Sequence, residues 1–181
     1  MTKAFMDRMK EPASGVSDPS VTSSGSDFEA FFEAEHERLL RALFVVTGSA
    51  EEADELMQDA FVAVWERWDR VGGMRDPTGY LYRTAMNRFR SRLRSARVAA
   101  LRIVRADPRP DLFEAVDDRD LVVRALAGLS ARQRAALVLT DLLDFDSAKA
   151  ATILGVKPST VRALASQGRA ALRRSAEQSD A

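Results

Sequence analysis

Between Ala53 and Trp68 the apolar residues fall at Ala53, Leu56, Met57, Ala60, Phe61, Val64, Trp65 and Trp68, the i, i+3, i+4, i+7 series of one helical face. A helix with a single apolar stripe must be covered by other elements, and nothing in the chain alternates apolar and polar residues as a half-buried strand would. The fold class is therefore all-α. Ser49 with Glu52 three residues on gives the capping signal that starts this helix. Ahead of it, Phe28, Phe31, Phe32, Leu39, Leu40, Leu43 and Phe44 predict a helix over 28–47, ended by Gly48. Beyond the Gly72-Gly73 loop, Pro77 and Gly79 precede a further helix with Leu81, Tyr82, Ala85, Met86, Phe89 and Leu93 as its apolar positions. These helices can bury one core together.

Pro108 and Pro110 stand two residues apart, a spacing no helix interior accepts, and they part the chain. Past them come shorter helical signals: 120–129, then 130–143 opened by a Ser130/Gln133 capping box, then 146–154, and last Pro158 to about Ala176. We expect two small helical domains, one of three to four helices over 27–97 and one over 118–176, joined by a flexible linker at 98–117. Residues 1–26, scattered with Ser, Gly and Pro, and residues 177–181 read as disordered tails.

Several function classes fall away. The chain has no cysteine, so it has no disulfide, thiol nucleophile or Cys-bound zinc, which fits a reducing cytoplasm. Its longest apolar runs fall far short of the roughly 18 residues that would span a bilayer. Glu33-Ala-Glu-His36 is half of a di-iron carboxylate signature, but His36 is the only histidine, so the second half cannot exist. The same scarcity removes a Ser-His-Asp arrangement, and no glycine-rich phosphate loop is present. Neither a catalytic residue, a metal site nor a cofactor is expected.

The 27 basic and 27 acidic residues cancel, yet they are segregated. From Pro77 to Ala106 there are eight arginines, at 83, 88, 90, 92, 94, 97, 102 and 105, and no Asp or Glu. Glu51, Glu52, Asp54, Glu55 and Asp59 crowd a different stretch. Such separation points to one anionic and one cationic partner. Tyr80, Tyr82 and Phe89 are interleaved with the arginines, as befits a surface that holds phosphates by charge and stacks unpaired bases on rings.

In the second half Ala151, Gly155, Val156, Val161 and Leu164 match the pattern of a helix-turn-helix. A small residue lets the helices approach, a glycine makes the turn, and two apolar residues bury the second helix. Ser159, Thr160, Arg162, Ala163, Ser166, Gln167 and Arg169 then face outward or partly so, with Arg173 and Arg174 near the end. Arg, Gln, Ser and Thr are side chains able to read base edges.

Together these segments resemble the sigma-70 family, and within it the short extracytoplasmic-function group that keeps only the second and fourth regions. Ala53 to Phe61, continuing to Trp65, is similar to the family's Asp-Leu-Val-Gln-Glu-x-Phe helix. Tyr80 to Asn87 is similar to its Trp-Leu-x-Arg-Ile-Ala-x-Asn helix. Leu154-Gly155-Val156 and Ser159-Thr160-Val161-Arg162 resemble its helix-turn-helix. The resemblance implies that Asp54, Glu55, Leu56, Gln58, Asp59, Phe61 and Trp65 dock on the clamp helices of the largest subunit of core RNA polymerase. It implies minus-ten contacts by Tyr82, Arg83, Asn87, Arg88, Arg90 and Arg94, with Asn87 and the loop from Asp69 to Thr78 capturing an unstacked base. It assigns the helix-turn-helix, with the flap of the second-largest subunit, to the minus-thirty-five element. Leu164, Ala165, Gln167, Gly168 and Lys157 depart from the family's habit in the recognition helix, and Ser91 replaces a frequent Asp. The sequence leaves an anti-sigma partner open. It also leaves open a helix-turn-helix regulator acting without polymerase, and a polymerase-binding adaptor that reads no DNA.

Overall fold

The structure, a computed structural model, describes residues 19–102, 126 and 128–179. Among the described residues every regular element is helical. In chain order they are α1 (Pro19–Thr47), α2 (Ala50–Trp65), α3 (Trp68–Val71), α4 (Pro77–Arg102), α5 (Ala131–Leu137) running directly into a π-helical turn (Val138–Leu142), α6 (Ser147–Leu154) and α7 (Pro158–Ser179).

The capping signals act as read. The Ser49 hydroxyl accepts from the Glu52 N–H at 3.2 Å, and Ser130 and Gln133 form a reciprocal box. Asp146 opens α6 by accepting from the N–H groups of Ala148 and Lys149, both at 2.8 Å. Each such cap holds about 1 kcal/mol of stability.

The inner stripes of α1, α2 and α4 meet in one core, with Phe28, Leu39, Leu43, Leu56, Phe61, Leu81 and Met86 all but inaccessible. Its aromatic end is built around Phe28, which lies 4.8 Å from Trp65 and 5.1 Å from Trp68 between ring centroids, while Phe32 meets Phe61 edge-on at 4.7 Å. In the second domain α5, α6 and α7 close over Ala136, Leu139, Ile153 and Val161.

Gly155 makes the α6–α7 turn at φ 62°, a left-handed conformation that a side chain resists. Gly168 serves a different end: a Cβ there would stand 2.7 Å from Leu137 Cδ1, so its bare backbone is what lets α5 and α7 approach. The glycine that departs from the family's recognition helix is thus a packing residue.

The two domains pack on each other, α6 against α4 and α5 with the π turn against α1. Three boundaries differ from the sequence reading. α1 already includes Pro19 to Ser26, assigned to the tail, and α7 runs on to Ser179. α4 continues to Arg102, past the expected end at 97, because no proline or glycine stands between Tyr80 and Arg102 to stop it. The rest of the expected linker, 103–117, and the helix expected over 120–125 lie outside the described residues.

Candidate nucleic-acid interface

The arginine run of α4 divides by face. Arg88 and Arg92 turn toward α2, where Arg92 meets Glu55 at 2.7 Å and Asp59 at 3.4 Å, and Arg88 meets Asp59 at 3.4 Å. The acidic and basic stretches that looked like sites for two separate partners therefore partly answer each other. These pairs are exposed, and each holds less than about 1 kcal/mol.

Arg83 and Arg94 point elsewhere and are exposed. Arg90 lies between them, half-buried, donating to the Leu154 carbonyl and to Asn87 Oδ1. Burial, and then the charges of Arg94, Arg132 and Arg83, hold its guanidinium below its ordinary value. It remains a cation, but one in a field of like charges, which an anion would relieve. The side chains of Arg97 and Arg102, and Arg105 as a whole, lie outside the described residues.

Tyr82 is not on this surface. It is fully buried, with the ring of Phe145 edge-on at 5.4 Å, so in this packing it cannot stack on a base. Leu56 and Phe61 are likewise buried in the core, and Trp65 is half-buried against Phe28. Their spacing is that of the inner stripe, and in this structure they pack α2 and α4 into the core. What α2 presents outward is Glu51, Asp54, Glu55, Gln58, Asp59 and Val62, with Gln58 donating to Asp54 at 2.9 Å.

The loop before α4 is ordered by Asp76, which accepts from the Gly79 N–H and from Lys149 Nζ, each at 2.9 Å. Burial would raise the Asp76 carboxyl, but the Gly79 N–H and the Lys149 charge outweigh it and lower its value. Thr78 donates to Glu35 Oε1 at 3.0 Å. Beside this loop lies a cavity of about 430 Å³ walled by Met74, Tyr80 and Arg83 on one side and by Lys149, Thr152 and Ile153 on the other.

On α7, Ser159, Thr160, Arg162, Ala163, Ser166, Gln167, Arg169 and Arg173 are all exposed, while Val161 and Ala165 are buried. Two of the cations are held from within: Arg162 donates to Ser147 Oγ at 3.2 Å, and Arg169 forks onto the carboxylate of Asp141 at 2.9 Å. The only histidine, His36, stacks on Phe32 and donates from Nδ1 to the Phe32 carbonyl at 3.1 Å. Among the described residues no group of three or more His, Asp or Glu side chains could hold a metal, and no helix is long and apolar enough to cross a membrane.

Phe145, Lys149, Asp76 and Arg38, which join the domains, carried no signal in the sequence. Only the isolated Phe between Asp144 and Asp146 hints at them, an apolar ring in a turn with no helical stripe to belong to.

The described residues thus form a helical domain with paired acidic and arginine-rich helices, followed by a helix-turn-helix domain. The sigma-70 region 2 model matches residues 31–98 and the sigma-70 region 4 model residues 119–172. The chain is 31% identical over 155 residues to the ECF RNA polymerase sigma factor SigM of Mycobacterium tuberculosis, covering 81% of this chain and 76% of that one. It is 28% identical over 176 residues to SigG of the same organism, covering 81% of this chain and 48% of SigG, so it spans about half the length of that relative. Its fold is that of the sigma factor RpoE solved in complex with the anti-sigma factor NepR from Bartonella quintana, at a TM-score of 0.65 and 24% identity over 82% of this chain and 95% of RpoE. CnrH in complex with the cytosolic domain of CnrY gives 0.59 and 23%, over 83% and 88%. The chain belongs to the sigma-70 family, in its extracytoplasmic-function group.

Proposed function

We propose that the protein is an alternative-sigma subunit, which binds core RNA polymerase and directs promoter recognition and DNA opening in transcription initiation. The observation that carries this reading is the cluster of Arg83, Arg90 and Arg94 on the face of α4 opposite its ties to α2, with a loop cavity beside it. Asp54, Glu55, Gln58 and Asp59 form the surface for the clamp helices of the largest subunit. Arg83, Arg90 and Arg94 hold phosphates around the minus-ten element, Arg88 being tied to Asp59 on the inward face, and Asn87 with the walls of the loop cavity receives an unstacked base. Unstacking costs a few kcal/mol, which binding of the opened strand must offset.

The exposed face of α7, from Ser159 to Arg173, reads the minus-thirty-five element beside the flap of the second-largest subunit. The similarity to RpoE, solved in complex with the anti-sigma factor NepR, supports an anti-sigma factor as a further partner. The protein performs no catalysis of its own, and its place is the cytoplasm, where polymerase and promoter are. The test is reconstitution: purified protein with core polymerase should co-purify and give run-off transcripts from selected genomic fragments. Failure to bind core polymerase, or no transcript from any fragment, would overturn the reading.

A further inference from the structure

A groove of about 370 Å³ runs between α4 and the second domain. Its apolar wall includes Phe89, Leu93, Val156 and Leu164, and Leu93 and Val156 are left 42% and 38% exposed, the condition of a surface that lacks its cover. Arg90, Arg94 and Arg132 stand along it, and no carboxylate of the described residues pairs with any of them. An occupant that fits must bring apolar side chains and negative charge together.

The chain's own sequence holds such a segment, within reach of the groove from both of its attachment points. Residues 103–125 connect the end of α4 to Leu126. Within them Asp111-Leu-Phe-Glu-Ala-Val-Asp-Asp118 carries four carboxylates, three large apolar side chains and no Lys or Arg. From Arg94 to Arg102 the helix rises about 12 Å. The nine residues from Arg102 to Asp111 can extend to about 30 Å, ample to return to Leu93. At the other end Ala131, five residues beyond Leu126, itself lines the groove.

We propose that the segment Asp111–Asp118 docks in this groove, setting Leu112, Phe113 and Val116 against Leu93 and Val156 and its carboxylates against Arg90, Arg94 and Arg132. Being tethered at both ends, it meets the groove at an effective concentration of about the millimolar range, which a separate acidic partner or a nucleic acid would have to exceed. The docking concerns the free chain and stands apart from the transcriptional role proposed above.

Because the chain has no cysteine, a designed pair reports it directly. In the full-length protein, Leu93→Cys with Phe113→Cys should form an intrachain disulfide in oxidised glutathione at least tenfold faster than Leu93→Cys with Ala106→Cys, whose partner is nearer in sequence. Adding Asp111→Asn, Glu114→Gln, Asp117→Asn and Asp118→Asn should abolish most of that advantage. Equal rates for the two pairs, or an advantage indifferent to the four neutral substitutions, would mean that the groove belongs to a partner or to nucleic acid. Should a cysteine pair disturb the helical circular dichroism, hydrogen exchange of the wild-type chain against the four-carboxylate variant decides instead. Faster exchange around Val156 in the variant is expected, and identical exchange overturns the proposal.

Discussion

The ring of Phe145 stands edge-on to the ring of Tyr82, with centroids 5.4 Å apart and planes at 85°, and so plugs the second domain onto the core of the first. Lys149 Nζ lies 4.5 Å from the centroid of the same Phe145 ring and the Arg38 guanidinium 5.8 Å, while Arg38 also donates to the Leu143 carbonyl at 2.9 Å. One aromatic side chain thus gathers contacts from α1, α4 and α6.

Phe145→Ala should uncover Tyr82. Burial first, and then the Glu35 carboxylate, push the Tyr82 hydroxyl well above its ordinary value of 10.0. A raised value means that this contribution to folding is fully present below pH 10.0 and is lost as pH rises beyond it. With two tyrosines in the chain, ultraviolet titration can follow the buried one. The variant should bring the late phenolate transition down toward the ordinary value; an unchanged curve would show that Phe145 does not cover Tyr82.

Asp76 serves two contacts that substitution can separate. Asn in its place keeps an acceptor for the Gly79 N–H but loses the charge facing Lys149, whereas Ala loses both, with the cap alone holding about 1 kcal/mol. The lowered carboxyl contributes above its unfolded value of 3.8 and loses that contribution as pH falls through its folded value. In thermal melts at pH 7 the order should be wild type, Asp76→Asn, Asp76→Ala. The gap between the first two should be small, because the pair is exposed, and should vanish below the folded value.

Gly168→Ala should destabilise the second domain. Alanine gains about 1 kcal/mol of helix propensity over glycine, but the new methyl enters the space of Leu137, and overpacking of this kind costs about 1 to 3 kcal/mol. A lower melting temperature by circular dichroism is expected, with partial recovery when Leu137→Val is added. A rise in the single variant would mean that Leu137 moves aside freely.

Arg94→Ala and Arg92→Ala should behave differently on promoter DNA. Arg92 is engaged by Glu55 and Asp59, whereas Arg94 stands free of any carboxylate among the described residues. In salt titrations of holoenzyme binding, losing Arg94 should lower the log–log slope by about 0.9, the value of one phosphate contact, and losing Arg92 should leave it nearly unchanged. Equal effects would refute the division of α4 into an inward and an outward face.

Among the described residues the longer helices of both domains were legible because periodicity and caps are local: Ser49, Ser130 and Asp146 each begin a helix where one was expected. The outward face of α7 was legible for the same reason. Two things were not. For Tyr82, Leu56 and Phe61 the stripe spacing points inward and the family resemblance outward, and nothing local in the sequence decides between the two; the structure buries all three. The pairing of Arg92 with Glu55 joins residues far apart in the chain, and charge segregation along a sequence cannot tell two outside partners from two adjacent helices.

The π turn at Val138–Leu142 carries the Leu143 N–H back to the Val138 carbonyl at 3.0 Å, one residue more than an α-helical turn holds. Removing a single residue there would let the helix close normally and swing everything after it by about 100° around the axis. The Leu143 carbonyl would leave Arg38, and Phe145 would no longer aim at Tyr82. Whether the halves of this molecule clasp is therefore a matter of counting as well as of chemistry: one extra link of backbone sets the angle at which the plug is presented.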